Sequence, residues 1–382
     1  TIVGQEGYDS AYGTNFASGG YCNGGSTSTS CDGYLRIADQ GETWFGFNTL
    51  LDPDVKLEIP IEPKAIHDEM NASAFDEFGR MQANIGLEVV PATPANQNVV
   101  LYPFVNPPTE LLDATDLPKN DIGMEIIPIE FADGTQIWKI THNGVDTHPL
   151  HWHLYDVQVL NRVTWDNIVS PPDPTELGWK DTLRVSPLED TIVALRPIIP
   201  QLPFELPNSI RPLHPMMPLG STMGFNNTDA DGNPTAPIVN ALVNFGLEYV
   251  WHCHILSHEE MDMMRPVSVS LPPNAPDGLA WTTSGTGGNT SLTLTWNDNS
   301  LNETAFVVQR DDGTGVWVDL GTVPSPLDQN NTTGTRTYTD TTFRWNATTY
   351  SYRVVARNTV GYGGEFMSVT TESVSAAVAV IQ

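Results

Sequence analysis

The sequence predicts an all-β protein built from two β-sandwich domains. Gly and Pro supply 31 and 30 of the 382 residues, Val and Thr are frequent, and no long stretch repeats apolar residues at helical spacing. Short β-rich runs alternate with turn residues from Asn84 onward, so we expect very little helix. The hydrophobic fraction of 40% is sufficient for two cores.

The chain is strongly acidic, with 46 acidic residues, 17 basic residues and a formal net charge of −29. This charge argues against a nucleic-acid backbone or an anionic membrane surface as a partner. It is compatible with attraction of metal cations, and equally with a surface that only keeps an extracellular protein soluble. The sequence contains no run of about 18 apolar residues, so it predicts no membrane-spanning helix.

Residues 1–83 form a Gly/Ser-rich and then polar segment, which would complete a preceding domain but predicts no fold of its own. Thr1 is neither a start methionine nor the opening of a signal peptide, so we expect a processed or partial chain. Cys22 and Cys31 flank a Gly/Ser/Thr loop that a disulfide would close, with free thiols and a metal pair as alternatives. The disulfide predicts an extracellular or cell-surface protein.

The first sandwich is predicted over residues 84–271. Its strand-like runs include IGLEVV, NVVLYPFV, YDVQVLNRV, EYVWHCH and PVSVSL. A stretch between Pro197 and Pro237 is dense in Pro, Asn and Met, and it predicts a long ordered loop. Closely spaced prolines at 272–276 predict a stiff linker, because proline ends strand pairing.

The second sandwich is predicted over residues 277–382. In SLTLTW, Leu292, Leu294 and Trp296 alternate onto one face of a strand. With Trp296 and the late-strand motif YSYRVVARNTVG, this region resembles a fibronectin type III domain. It contains no catalytic cluster, so the resemblance implies adhesion, spacing or a passive C-terminal cap.

Six of the nine histidines lie in two short segments. Side chains alternate faces along a strand, so each segment offers two histidines to one site and a single ligand to another. The paired histidines are His151 with His153 and His252 with His254, and the single ligands are His148 and Cys253.

The single-ligand side combines His148 and Cys253 with His258 and Met263, which follow the cysteine in the spacing C-x4-H-x4-M. Two imidazoles, a thiolate and a weak axial thioether form the ligand set of a blue, type 1 copper site. Zinc is the metal alternative, although structural zinc sites usually use more cysteines and need no thioether. A metal-free core cysteine is the other interpretation.

The paired-histidine side holds more imidazoles than one electron carrier needs, and it suits a cluster of coppers. Cys253 is bonded through the chain to His252 and His254, so an electron at the type 1 site has a short covalent route to that cluster. The arrangement predicts reduction of an oxidant. Glu259 and other acids beside these histidines are interpreted either as proton carriers or as solvated loop residues.

HPLHWH and HCHILSHEEMDM are similar to the paired copper signatures of the multicopper oxidases, the laccase-like blue copper oxidases, in their last cupredoxin domain. The resemblance covers residues 84–271 and implies a cupredoxin Greek-key sandwich or barrel. It implies oxidation of a metal ion or phenol by one electron at type 1 copper, coupled to reduction of dioxygen to water at a trinuclear cluster. The ligands it implies are His148, Cys253, His258 and Met263 for type 1, His151 for type 2, and His153, His252 and His254 for type 3 copper.

The sequence departs from that family in one respect. A complete member supplies two further His-x-His pairs, whereas His67, His142 and His214 are isolated here, with His142 expected to support the copper site. The histidines that would complete the trinuclear cluster must come from an upstream cupredoxin domain or a separate chain. Two alternatives stay open: an electron-transfer module with type 1 copper alone, and an extracellular structural or adhesive protein with a copper-binding scaffold.

Overall fold

The computed structural model describes residues 62–68, 79, 83–89, 98–115, 119–120, 134–166, 168–200, 202–286, 290–329, 331–345 and 349–380, and the backbone of five strands before residue 61. Its regular structure is almost entirely β-strand, and the predicted all-β fold class is confirmed. The exceptions are a 3-10 turn at Pro174–Glu176 and a four-residue helix, α1, at Leu256–Glu259. None of the described helices is long and apolar enough to cross a membrane.

The five N-terminal strands form two small antiparallel sheets. β1 pairs with β2, and β4 lies between β3 and β5. Cys22 and Cys31 lie outside the described residues, so the disulfide stays a prediction. The strands are β1 (Ile2–Val3), β2 (Tyr34–Leu35), β3 (Ile37–Asp39), β4 (Gly46–Asp52) and β5 (Val55–Pro60).

The first sandwich packs a seven-stranded sheet against a five-stranded one. The strands of residues 62–270, twelve of which form these two sheets, are β6 (Glu62–Asp68), β7 (Ala83–Val89), β8 (Asn98–Leu101), β9 (Glu110–Asp113), β10 (Lys119–Asn120), β11 (Gln136–His142), β12 (His148–Trp152), β13 (Tyr155–Thr164), β14 (Val169–Ser170), β15 (Thr182–Val185), β16 (Glu189–Pro197), β17 (Ile199–Pro200), β18 (Ile210–Pro212), β19 (Leu242–Asn244), β20 (Leu247–Cys253) and β21 (Met264–Ser270).

In the larger sheet the strand order is β14-β13-β16-β11-β6-β7-β8, and in the smaller it is β15-β12-β20-β21-β9. β10 and β17 form a separate parallel pair. Inward-facing side chains of both sheets fill the core, which includes Trp138, Trp152 and Trp251 at 0–1% exposure. The rings of Trp152 and Trp251 stack with 6.2 Å between centroids. This contact in the core holds together β12 and β20, the two strands that carry the histidines.

The seven-stranded sheet includes residues upstream of the boundary predicted at residue 84. β6 pairs in parallel with β11 and antiparallel with β7, and Ala65 lies opposite both Thr141 and Gly86. β6 is therefore an interior strand of the sheet. Its carboxyl end brings Asp68 to the same edge as the end of β11.

A three-stranded sheet, β22-β23-β26, faces a larger sheet in the second sandwich, where β27 pairs with β24, β28 and β29, and β25 pairs with β24. Trp296, Phe306 and Tyr352 lie in the core between them. The strands are β22 (Asp277–Ser284), β23 (Ser291–Asp298), β24 (Ala305–Asp311), β25 (Trp317–Pro324), β26 (Gly334–Asp340), β27 (Tyr350–Gly361), β28 (Ser368–Val374) and β29 (Val378–Val380).

The two sandwiches share one sheet. β18 and β19 precede the proline-rich linker but extend the sheet of the second sandwich, where Asn244 pairs with Gly361. The buried Asn358 side chain donates to the Leu271 carbonyl and accepts from Asn244 Nδ2. The stretch predicted as a long loop between Pro197 and Pro237 contains the short strand β18, which pairs with β19, and β19 in turn pairs with the second sandwich.

Candidate metal centre

The register of β12 and β20 separates two groups of side chains. Leu150 lies opposite Cys253, and His151 lies opposite His252. Because residues alternate faces along a strand, His148 falls on the core side with Cys253. The two faces of this strand pair therefore hold two different sites, as the spacing of the histidines predicts.

The core-side site brings together His148, Cys253 and His258. His148 Nδ1 lies 3.2 Å and His258 Nδ1 lies 3.7 Å from Cys253 Sγ. All three side chains are 0% exposed, and their candidate ligand atoms lie within 4.8 Å of one another. One small metal ion would contact all three atoms at once.

The loop after β20 is folded so that it returns to this site. Ile255 N donates to Cys253 Sγ at 3.3 Å, and α1 then carries His258 back toward the sulfur. Asp262, with φ of 58°, reverses the chain, so that Cys253 N donates to the Met263 carbonyl at 3.2 Å. Met263 is 0% exposed and packs in the same core cluster as Cys253.

The donor set fits a soft metal. Burial raises the pKa of the Cys253 thiol to about 12, so the metal-free site holds a neutral thiol. Burial, and then the neighbouring His148, lowers the pKa of His258, which keeps that imidazole neutral. Two imidazoles and a sulfur that a metal would deprotonate suit copper, and the buried Met263 is available as a weak fourth ligand.

Asp68, which the sequence does not reveal as a site residue, orients His148. His148 Nε2 donates to Asp68 Oδ2 at 2.8 Å, and the amides of Val145 and Asp146 donate to the same carboxylate. Burial acts to raise the pKa of Asp68, but these hydrogen bonds outweigh it and lower the pKa to about 2. Because Nε2 of His148 directs its hydrogen at Asp68, Nδ1 is the ring nitrogen that faces Cys253 and could bind a metal.

The loop that bears Val145 and Asp146 is held by His142. His142 Nε2 donates to the Asp146 carbonyl at 2.6 Å, and its Nδ1 accepts from Gly144 N at 3.2 Å. A Cβ at residue 144 would overlap Asp68 Oδ1, so only glycine fits there. The supporting role expected for His142 matches this position, since its ring centroid is 4.9 Å from that of His148.

The opposite face brings together four histidines. The candidate ligand atoms of His151, His252 and His254 lie within 4.8 Å of one another. The ring of His153 lies 5.0 Å from that of His151 and 5.4 Å from that of His252, between centroids. Half of the His254 side chain, 46%, is exposed, so this cluster opens to the surface.

Hydrogen bonds fix which nitrogen each ring offers. His151 Nδ1 donates to the Asp181 carbonyl at 2.9 Å, and His252 Nδ1 lies 3.1 Å from Glu259 Oε1. Both rings therefore leave Nε2 free to bind a metal. Glu259 Oε1 is also 3.7 Å from His254 Nδ1 and belongs to α1, so the short helix that positions His258 also orients the second cluster.

Burial favours the neutral form of two imidazoles in this cluster, His153 and His252. Burial, and then His151, lowers the pKa of His153, and burial is also the main reason that the pKa of His252 is lowered. Neutral rings are the form that binds a metal. The structure therefore places all eight residues singled out from the two segments in two adjacent sites, while no further His-x-His pair exists in the sequence.

Parts of this chain are similar to known multicopper oxidases. Residues 93–201 match the family model described as multicopper oxidase. A laccase of Bacillus subtilis is 28% identical over 151 residues, which are 36% of this chain and 21% of the laccase. A rice protein, multicopper oxidase LPR1 homolog 3 of Oryza sativa subsp. japonica, is 27% identical over 228 residues, which are 52% of this chain and 36% of that protein.

Among solved structures, the McoA multicopper oxidase of Aquifex aeolicus is 19% identical, with a TM-score of 0.27 over 56% of this chain and 30% of that one. The chain spans about a fifth to a third of the length of the relatives it matches. It contains a multicopper oxidase-like domain.

Proposed function

We propose that this chain is part of an extracellular multicopper oxidase, with a type 1 copper site of its own and half of a second copper cluster. The observation that carries the proposal is the buried triad in which two imidazole Nδ1 atoms face Cys253 Sγ at 3.2 and 3.7 Å. His148, Cys253 and His258 would hold type 1 copper, with Met263 as the axial ligand. When bound, copper there would accept single electrons from a reductant, and coppers in a completed second cluster would pass them to dioxygen, giving water.

The chain's own residues link the two sites. Cys253 lies between His252 and His254 in the sequence, so electrons have a path of covalent bonds from one face of β20 to the other. His151, His153, His252 and His254 would supply one half of the trinuclear cluster. Glu259 holds the Nδ1 side of His252, which keeps Nε2 directed away toward the missing ligands.

The partner must supply the remaining imidazoles. A cupredoxin domain, upstream in a precursor or on a separate chain, would bring two His-x-His pairs to the open face at His254. The open face and the surface exposure of His254 support this proposal. The physiological reductant is proposed to be a metal cation or a phenol, because the acidic surface attracts cations and outer-sphere oxidation needs no dedicated pocket.

The second sandwich is proposed to be fibronectin type III-like. Its three-stranded sheet β22-β23-β26 faces a sheet centred on β24 and β27, and Trp296 lies in the core between them. This arrangement supports the resemblance seen in the sequence. An adhesive or spacing role would suit the proposed extracellular location.

Copper stoichiometry tests the proposed function. The chain alone should bind one tightly held copper and consume no dioxygen. Mixed with a cupredoxin domain that carries two His-x-His pairs, it should bind a full set of coppers and consume dioxygen with a reductant present. One copper without turnover in that mixture would favour the electron-transfer module instead. Absence of copper binding would favour the structural or adhesive protein.

A further inference from the structure

Four large apolar side chains protrude at one end of the first sandwich. Val145, Trp165, Ile168 and Leu188 are 59%, 78%, 60% and 52% exposed. We refer to these four as the tip patch. Contiguous exposed apolar surface of this kind marks interaction sites in soluble proteins.

The loops that carry the tip patch are joined to one another at one edge of the sheet. Its residues lie in three loops that leave neighbouring strands at the same edge, where Glu189 of β16 pairs with His142 of β11 and with Thr164 of β13. Leu188 N donates to the His142 carbonyl at 2.7 Å, and Trp165 N donates to the Leu188 carbonyl at 3.0 Å. These backbone bonds hold the loops together, so the surface is formed before any partner arrives.

Leu188 is both exposed and strained. Its φ of 59° is a left-handed conformation, which costs a non-glycine residue about 1–2 kcal/mol. Its backbone N–H and carbonyl join the loops, but its side chain is 52% exposed and contributes little to the core. A strained residue with an exposed side chain is typical of functional positions.

The tip patch adjoins the type 1 site. Val145 precedes Asp146, whose Oδ2 lies 3.8 Å from His258 Nε2. That nitrogen is buried and makes no hydrogen bond among the described residues. The patch therefore ends at Asp146, a partly exposed residue that lies against a proposed type 1 ligand, and electrons could enter there.

The shape and charge of the tip patch identify its partner. Small ligands bind in concave pockets, whereas these side chains protrude from loop tips and suit a broad protein surface. The loops carry Asp146 and Asp166, and the cation beneath them, Arg162, is paired with Glu176 and Glu189. With the chain at −29, the complementary surface is apolar at its centre and basic around it.

We propose that the tip patch is the docking surface for a small basic electron-carrier protein, a second electron donor in addition to the metal cation or phenol, and this inference rests on the proposed type 1 copper site. The carrier's reduced metal centre loses one electron and Cu(II) at the type 1 site becomes Cu(I). No covalent bond forms or breaks, and no proton is transferred. Transient redox complexes of this kind bury less than about 1,200 Å².

Binding is tested first, with the copper-free full chain and an oxidised, basic c-type cytochrome at low ionic strength. Trp165→Ser combined with Ile168→Ser should weaken the affinity roughly tenfold. Leu188→Asn should also weaken it while raising the melting temperature, because asparagine tolerates a left-handed backbone. The matched control, Val316→Ser with Val318→Ser, removes two valines exposed at 62% and 58% on the second sandwich and should leave affinity unchanged.

Electron transfer is tested next, anaerobically, with the copper-loaded chain and one equivalent of the reduced cytochrome. The tip-patch variants should slow cytochrome oxidation while leaving oxidation of a small phenol unchanged. Equal slowing with the phenol, or binding that these substitutions do not weaken, would overturn the proposal. Failure of the copper site would remove electron transfer but leave cytochrome binding intact, so the two proposals fail in distinguishable ways.

Discussion

His148 Nε2 donates a hydrogen bond of 2.8 Å to Asp68 Oδ2, and both side chains are fully buried although they are 80 residues apart in the sequence. The same carboxylate accepts from the amides of Val145 and Asp146. Asp68 therefore fixes the ring of a proposed copper ligand and the loop beside it together. This contact makes the geometry of the metal centre depend on a strand at the N-terminal side of the sandwich.

Replacing Asp68 with asparagine should lower copper affinity. The amide keeps the size of the side chain but removes the charge that holds the His148 Nε2 proton, and loss of such an outer contact typically costs about 10–100-fold in metal affinity. Competition with a chelator of known copper affinity measures the change. Asp231→Asn, in an exposed loop, is the control, and equal affinities for both variants would show that Asp68 does not orient the site.

Gly144→Ala should destabilise the metal-free protein. A methyl group at residue 144 would overlap Asp68 Oδ1, so the carboxylate or the loop must shift, at a cost of about 1–3 kcal/mol. Gly178→Ala is the comparison, because residue 178 has open space and only an unfavourable φ of +85°. Denaturant unfolding of the two variants compares the cost of the steric overlap at residue 144 with the cost of the unfavourable backbone conformation at residue 178. A smaller loss at Gly144 than at Gly178 would contradict the packing described.

His151→Ala should leave the visible absorption of type 1 copper nearly unchanged, because His151 lies on the opposite face of the strand pair from Cys253. His148→Ala should abolish that absorption, since it removes an imidazole whose Nδ1 faces the sulfur. Spectra of the two copper-loaded variants provide the measurement. Loss of the band in both would mean that the two faces form one site.

Glu303→Gln should change how stability depends on pH. Glu303 is fully buried, its Oε2 lacks a hydrogen bond among the described residues, and burial raises its pKa from 4.5 to about 7. A raised carboxyl pKa means that the folded state holds its proton more tightly than the unfolded state. Glu303 therefore does not reduce the free energy of unfolding below its pKa in the unfolded chain. The loss of stability grows as pH rises from about 4.5 to 7 and is complete above that range.

The glutamine variant should consequently lose less stability than the wild type between pH 4.5 and pH 8, by on the order of 2 kcal/mol. Free energies of unfolding at both pH values measure this difference. Glu372→Gln, whose side chain is 42% exposed and paired with Arg357, serves as the control. Parallel pH profiles for wild type and Glu303→Gln would show that Glu303 titrates normally.

Much of the metal centre follows from local sequence. Alternation along a strand predicts that Cys253 faces away from His252 and His254, and the register of β12 and β20 realises that arrangement. The close spacing of His258 and Met263 to Cys253 made a compact loop site predictable. Such features depend on the alternation of side chains along a strand, which can be predicted from residue spacing alone.

Other features depend on contacts between distant parts of the chain. Asp68 closes a short polar strand, and its partner is 80 residues away, so no local pattern distinguishes it from a surface acid. The pairing of Asn244 with Gly361 joins the two sandwiches. The proline-rich linker between them predicts two separate domains and gives no sign of this pairing. Pairing of strands that lie far apart in the sequence is determined by tertiary packing rather than by propensity.

The central claim is that His148, Cys253 and His258 bind a single copper through the cysteine sulfur. The most direct measurement is a copper titration of the full chain beside its Cys253→Ser variant, followed by metal content and visible absorption. The wild type should bind one copper tightly and develop an intense thiolate-to-copper band, and the variant should fold but show no band. A wild-type chain that takes up copper without this band, or a variant that keeps it, would contradict the claim.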